Sequence, residues 1–211
     1  FIANSRFVAR RIWKYYRREA TVIHPPVDTT YFAPEDQGED YYLVVSRLTG
    51  YKRIDLAVAA FNHLGRPLRI IGDGPELRRL QAMAGPSITF LGYQPRSTVR
   101  EHLARCRALI FPGVEDFGIV PVEAQSAGRP VIAYAAGGAL ETVVDGVTGL
   151  LFREQSPVAL REAVEKFEQT AFDKQLIREH ARQFDAARFA EQMRAFIAAK
   201  VSEEHGYVST A

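Results

Sequence analysis

"ALIFPGVEDFGIVPVEAQSAGRPVIAY", residues 108–134, decides how the rest of the chain is read. It opens on a short apolar run (108–111), turns at Pro112-Gly113, crosses an acidic loop and enters a helical pattern near 119–127. It closes on a second apolar run (130–134). Strand, helix and strand in that order form a crossover unit, which places two parallel strands side by side with both faces covered. Three carboxylates, Glu115, Asp116 and Glu123, interrupt this otherwise buried stretch. A carboxylate leaves water only when a partner offsets its desolvation, so each of them needs one in the protein or in something it binds.

Upstream and downstream the rhythm is the same. "YYLVVS" (41–46), "LRIIG" (68–72) and "SITFL" (87–91) are short apolar runs bounded by Gly, Pro or charge, and "LLF" (150–152) closes the series. Between them lie helical spacings: Ile54, Ala57, Val58, Phe61 and Leu64; then Leu77, Leu80 and Met83 or Ala84; then Val99, Leu103 and Cys106. The expected fold is α/β, a Rossmann-like doubly wound parallel sheet over 41–186. Further helices are expected near 156–168 (Leu160, Val164, Phe167 inward), 173–184 (Ile177, Ala181, Phe184) and 187–201 (Phe189, Met193, Phe196, Ile197). The last of these, with its tail, makes a helical C-terminal extension over 187–211.

Residues 1–40 form a separate lead-in. Asn4 or Ser5 can cap a helix over roughly 5–17 whose Val8, Ile12 and Tyr15 share a face. A short strand follows, stopped by Pro25-Pro26, with Asp28, Thr29 and Thr30 in turn chemistry and an acidic loop at 34–40 as linker. The chain begins FIA, without Met and in the manner of a strand's end, so the expectation is a piece of a longer protein whose upstream domain is absent.

Lys plus Arg number 27 against 25 Asp plus Glu, a formal charge of +2 that does not fit a nucleic-acid binder. The local exception is Arg6, Arg10, Arg11, Lys14, Arg17 and Arg18 against Glu19. That run reads as a solvated helix face or, more sharply, as a peripheral membrane contact. No apolar run approaches the roughly 20 residues of a membrane span, and no signal-peptide pattern is present. The single Cys106 excludes an internal disulfide and agrees with a cytoplasmic setting, including the inner face of the membrane. The five His are scattered and no Asp-x-Asp pair occurs, so no metal site is expected.

In a doubly wound sheet, ligands bind beyond the C-terminal strand ends. Taking those ends in turn gives Arg47 and Lys52, then Gly72 and Gly74 in "GDGPE", then Gly92, Tyr93 and Gln94 in "GYQPR". The next two give "PGVEDFGIVPVE" and "AAGGALE". A planar Arg fork and a mobile Lys suit a diphosphate, although both could be surface cations paired with nearby carboxylates. Gly118 before a helix leaves N–H groups facing the crevice, and Glu115 and Glu123 can each accept a sugar diol. "GDGPEL" is not the dinucleotide fingerprint, because position 77 is Leu where Gly is required. Gly72 and Gly74 then mark a tight turn, with or without close approach to a ligand.

Together, "VIHPPVDTTYF", "VVSRLTGYKRIDLAVAAF", "IIGDGPEL", "ITFLGY" and residues 108–152 resemble the C-terminal, donor-binding half of retaining family-4 glycosyltransferases of GT-B fold. The resemblance spans about residues 1–200 and centres on Glu115 and Glu123 downstream of Arg47 and Lys52. It implies that Arg47 and Lys52 bind the donor diphosphate and stabilise its departure without a metal ion. Glu123 would accept both ribose hydroxyls and Glu115 hydroxyls of the transferred sugar. The amides of Phe117, Gly118, Ile119 and Val120 would lie along sugar and phosphate, with Gly92, Tyr93 and Gln94 beside the base. Asp116 would face solvent or act as a local cap. No cofactor is implied beyond the nucleotide-sugar substrate. The HPPVD and EDFGI wording is similar to that of bacterial mannosyltransferases using GDP-mannose in polysaccharide assembly, with a UDP-sugar as the other donor. The acceptor, a glycan or lipid-linked sugar, would bind the missing N-terminal domain, leaving this chain nearly inactive alone. The competing readings are a nucleotide-sugar 2-epimerase on the same fold and a catalytically silent sugar-nucleotide-binding module. The silent module should have lost one of Arg47, Lys52, Glu115 and Glu123, and all are present.

Overall fold

The computed structural model describes residues 1–35 and 38–208, so the middle of the acidic loop and the last three residues of the expected C-terminal tail lie outside the described residues. Six parallel strands form the main sheet: β3 (Tyr42–Val45), β4 (Leu68–Ile71), β5 (Ile88–Gly92), β6 (Leu109–Phe111), β7 (Val131–Tyr134) and β8 (Gly149–Phe152). Their spatial order is β5-β4-β3-β6-β7-β8, so the winding direction reverses between β3 and β6. Every ladder is parallel, in register from Tyr42↔Leu68 through Leu43↔Leu109 to Tyr134↔Phe152, with one irregularity beside Ile70 and Ile71. The doubly wound, Rossmann-like expectation holds, and the reversal puts a crevice beyond the ends of β3 and β6.

Alternation along the strands sorts the core into two layers. Tyr42, Val44, Leu68, Ile70, Ile110 and Ile132 face α2 (Ile54–Leu64) and α7 (Pro157–Glu168), meeting Val58, Phe61, Leu160 and Val164. Tyr41, Leu43, Ile71, Leu109, Val131 and Ala133 face the other way, toward Leu103 of α4 (Arg96–Arg105) and Ala124 of α5 (Ile119–Ser126). Local chemistry sets the helix ends. Gly65 closes α2 in the left-handed region (φ 63°), and Ser156 caps α7 by accepting from the Ala159 N–H with Pro157 in the first turn. The α3 helix (Leu77–Met83) buries Leu80 alone.

Some boundaries differ from expectation. The 173–184 segment is α8 (Lys174–Ala181), capped by Asp173, followed by a 3-10 turn at Arg182–Phe184. The last helix, α9, runs on to Val208 from Ala186, and Ile197, expected inward, is 53% exposed. Its inward stripe therefore ends with the half-buried Phe189, Met193 and Phe196, because the helix has left the body. A short helix not foreseen, α6 (Ala139–Thr142), follows the Gly137-Gly138 pair.

The lead-in forms β1 (Ile2–Ala3), α1 (Arg6–Tyr16) and β2 (Thr21–Val22), with β1 and β2 pairing in parallel. Ser5 caps α1 by accepting from the Val8 N–H. No α1 residue is buried, and Tyr15, expected on the packed face, is 69% exposed. Asp28 accepts from the Thr30 hydroxyl and the Tyr31 N–H, as the turn reading anticipates.

Candidate functional site

The reversal crevice is a groove with two halves. One is a cleft of about 640 Å³ lined by Val45, Ser46, Arg47, Gly72, Gly74, Tyr93, Gln94 and Val120 among others. The other, about 350 Å³, is lined by Arg47, Lys52, Glu115, Phe117, Gly118, Ile119, Val120 and, from the lead-in, Asn4 and Pro25. Arg47 and Val120 belong to both, so they mark the join.

Backbone approach builds the larger half. A Cβ on Gly72 would overlap the Ser46 carbonyl, and one on Gly74 the Leu48 carbonyl. These glycines press the β4 turn onto the Arg47 loop; their demand comes from the chain itself. The Gly72 N–H donates to the Gly92 carbonyl at 2.8 Å, so Gly92 braces the wall and is not among the residues lining the cleft. Tyr93 stands 81% exposed at the rim, and the Gln94 amide is tied back, donating to the Leu91 carbonyl at 2.6 Å.

Charge dominates the smaller half. Lys52 ends a 3-10 turn (Gly50–Lys52), pairs with Glu115 and sits 4.9 Å from the Tyr51 ring centroid. Gly113 makes that pairing feasible, since a Cβ there would come within 2.8 Å of the Lys52 carbonyl. Arg47 is exposed and makes no ion pair among the described residues. The N–H groups of Phe117, Gly118, Ile119 and Val120 have no acceptor among the described residues, and Gly118 (φ 90°) opens α5 without a side-chain cap. They form an anion-binding helix start.

Glu123 lies three residues past Val120, on the same face of α5. Its carboxylate has no hydrogen bond or ion pair among the described residues. Burial pushes its pKa up to about 7, opposed by the Arg96 guanidinium. Glu123 is thus a half-buried acid with no partner among the described residues, and unlike the other sequence-predicted carboxylate, Glu115, it lines neither half of the groove. Glu115 has found a partner in Lys52, and Asp116 faces solvent as expected, pairing there with Arg11 of α1 at 2.6 Å.

Sequence reading missed what holds the loop 115–118 in place. Cβ atoms on Gly137 and Gly138 would overlap the backbone of Glu115 and Phe117, and the Gly138 N–H donates to the Glu115 carbonyl at 2.8 Å. The only signal was the glycine pair itself, at the end of β7. Gln155 supports the same loop, donating to the Pro112 carbonyl at 3.0 Å while its own oxygen accepts from Arg53. Glu141 was likewise unforeseen: its oxygens accept from the N–H groups of Arg6 and Phe7, and His24 lies 3.1 Å away. Burial would raise the Glu141 carboxyl, but these hydrogen bonds outweigh it and hold the pKa below the ordinary range. Among the described residues no group of three or more His, Cys, Asp or Glu could hold a metal ion, and no helix is long and apolar enough to cross a membrane.

The model of the family "Glycosyl transferases group 1" matches residues 31–185, which carry every strand of the main sheet and the whole groove save its lead-in wall. The chain belongs to that family. Among relatives of this group 1 chain is the GDP-mannose-dependent alpha-(1-6)-phosphatidylinositol monomannoside mannosyltransferase of Mycolicibacterium smegmatis, 32% identical over 192 residues, covering 76% of this chain and 50% of the relative. Another is an uncharacterised glycosyltransferase of Methanocaldococcus jannaschii, 27% identical over 168 residues, with 77% and 48% covered. The chain thus spans about half the length of these curated relatives. Its Rossmann-like fold is that of solved GT-B glycosyltransferases. Anabaena HepE in complex with UDP and glucose superposes with a TM-score of 0.83 at 23% identity, over 93% of this chain and 62% of HepE. Sucrose-phosphate synthase of Thermosynechococcus elongatus gives 0.83 at 24% identity, over 96% and 58%.

Proposed function

We propose that this group 1 chain binds the nucleotide-sugar donor of a retaining hexosyltransferase. The observation that carries the reading is one groove lined by an unpaired Arg47 and four free amides at Phe117–Val120, with the partnerless, half-buried Glu123 three residues past Val120 on α5. Cation and amides suit a diphosphate; the carboxylate suits a diol. The larger, more apolar half takes base and ribose, with Glu123 on the ribose hydroxyls and Tyr93 and Gln94 beside the base. The smaller half takes the sugar, with Glu115 on its hydroxyls.

In the proposed reaction the acceptor hydroxyl approaches the anomeric carbon on the face from which the diphosphate leaves. The bond from that carbon to the diphosphate oxygen breaks through an oxocarbenium-like state, the new glycosidic bond forms, and the hydroxyl proton passes to the leaving diphosphate. Arg47, Lys52 and the free amides stabilise the charge that gathers on the diphosphate, work a metal ion does in other phosphate-leaving reactions. The acceptor, a glycan or lipid-linked sugar, binds a further N-terminal domain, so residues 41–186 bind donor and turn over little without it. GDP-mannose is the favoured donor, in line with the mycobacterial relative's name, and UDP is the alternative, in line with the nucleotide in HepE. The exposed Trp13, Tyr15 and Tyr16 beside Arg6, Arg10, Lys14 and Arg17 make α1 the candidate contact with an anionic membrane face in the cytoplasm.

Ligand-observed NMR with GDP, UDP and ADP, parent against Glu123→Ala, tests the reading. Glu123-dependent binding of one nucleotide supports it and names the donor class. Equal binding by parent and variant removes Glu123 from the ribose site.

A further inference from the structure

Helix α1 is tied to the donor groove by a residue that touches no part of it. The first N–H groups of a helix have no intrahelical acceptor. In α1 the Val8 N–H finds Ser5, two positions before Phe7 and one before Arg6, whereas the Arg6 and Phe7 N–H groups find Glu141, 135 and 134 residues away. One carboxylate thus caps two donors, at 2.9 and 3.1 Å, and holds His24 at 3.1 Å through the oxygen that also serves Arg6. Its side chain is only 10% exposed.

Everything Glu141 holds borders the sugar-side half of the groove. Asn4, next to the buried cap Ser5, and Pro25, next to His24, both line it. The His24 ring stacks on Phe117 with centroids 5.4 Å apart, and Phe117 lines the same half. Behind Glu141, Gly138 lies against the Phe117 backbone, so the start of α6 packs directly on the loop. The larger half contains none of these residues.

We propose that Glu141 is a positioning residue of the donor site. By fixing the first turn of α1 and His24, it sets Asn4 and Pro25 as the wall against which the transferred sugar is held. Asn4 presents its amide there as a sugar-hydroxyl contact, while base and ribose are bound independently of this wall. The inference rests on the donor reading above and adds to it the residue that shapes the sugar pocket.

The test uses the intact protein with Glu141→Gln and, separately, Asn4→Ala. The probes are GDP and GDP-mannose, or UDP and UDP-glucose if UDP is the nucleotide bound. In Glu141→Gln, hydrogen exchange of the Arg6 and Phe7 amides accelerates about tenfold or more, because a neutral amide caps only weakly. Affinity for the nucleoside diphosphate stays within about twofold, while Kd for the nucleotide sugar rises about tenfold, the loss of one good hydrogen bond. Asn4→Ala reproduces the sugar-specific loss with α1 exchange unchanged, and it carries the test if Glu141→Gln does not fold. Faster exchange with an unaltered Kd for the nucleotide sugar would reduce Glu141 to a helix cap and overturn the proposal. An equal fall for diphosphate and nucleotide sugar in either variant also overturns it. Failure of the parent to bind any nucleotide overturns the donor reading itself, and the exchange result then reports on the cap alone.

Discussion

The two halves of the groove solve the problem of a concave site differently. The larger half is shaped by main chain: glycines at 72 and 74 fold the β4 turn onto the Arg47 loop, and Gln94 is already bonded to Leu91. The smaller half is shaped by side-chain charge, with Lys52 on Glu115, Arg11 on Asp116 and Glu141 on the start of α1. A main-chain wall changes little when a ligand arrives, whereas a charge-built wall must exchange partners. Glu123 and Glu115, eight positions apart, carry the contrast in one residue type: one desolvated and partnerless, the other paired.

The largest effect that would sharpen this comparison is in Glu123. Its pKa is raised from 4.5 to about 7, so between those values the native state holds a proton that the unfolded chain has lost. Stability contributed at low pH therefore falls as pH rises through that window, by up to about 3 kcal/mol at roughly 1.4 kcal/mol per pH unit. Chemical denaturation at pH 8 is expected to find Glu123→Gln more stable than the parent by that order, with the difference gone below the ordinary carboxylate range. An unchanged pH profile would mean that Glu123 is well solvated in the folded state. Next comes Arg47→Ala, expected to weaken binding of GDP or UDP by about 1.5–3 kcal/mol in calorimetry, the range for hydrogen bonds to charged groups. Equal affinity would move the diphosphate away from the join of the two halves.

Gly138→Ala tests whether the charged half also depends on main-chain contact. The added methyl must push back the Phe117 backbone, so thermal unfolding should show a loss of about 1–3 kcal/mol, as overpacking does. Unaltered stability would mean that the 115–118 loop yields easily. The smallest effect belongs to Arg11→Ala. Its pair with Asp116 is half exposed on both sides, so less than about 1 kcal/mol of stability should be lost, and less again in high salt. A larger loss would give α1 a second anchor as strong as Glu141.

The main sheet was legible because its buried strands are short apolar runs cut by Gly, Pro or charge, and all six lie where those runs fall. Helix α6 was not, since four residues are too few to show a period. Ile197 shows the opposite failure: its spacing is helical, but spacing cannot say that a helix has run past the body it packs on. At the site, Arg47, Lys52, Glu115 and Glu123 were found from strand ends and from resemblance; the first three line one groove, and Glu123 lies on α5 three residues past the lining Val120. An ion pair for Lys52 was among the alternatives, but its partner Glu115 was not named, because the pairing depends on Gly113 admitting a backbone that no local pattern encodes. Nor could Glu141 be read, since the donors it accepts from lie at the far end of the chain.

The Lys52–Glu115 pair also fixes the electrostatic face that the groove turns to solution. Glu115 already occupies Lys52 as an internal counter-ion, so a passing anion meets one uncompensated cation, Arg47. A lone chloride or sulfate gains little by displacing a tethered carboxylate held at high effective concentration. A diphosphate carrying a sugar offers both members of the pair something in return, phosphate oxygens for the ammonium and hydroxyls for the carboxylate. On the proposed donor reading, the ion pair would work as a filter, favouring ligands with anion and polyol on one molecule.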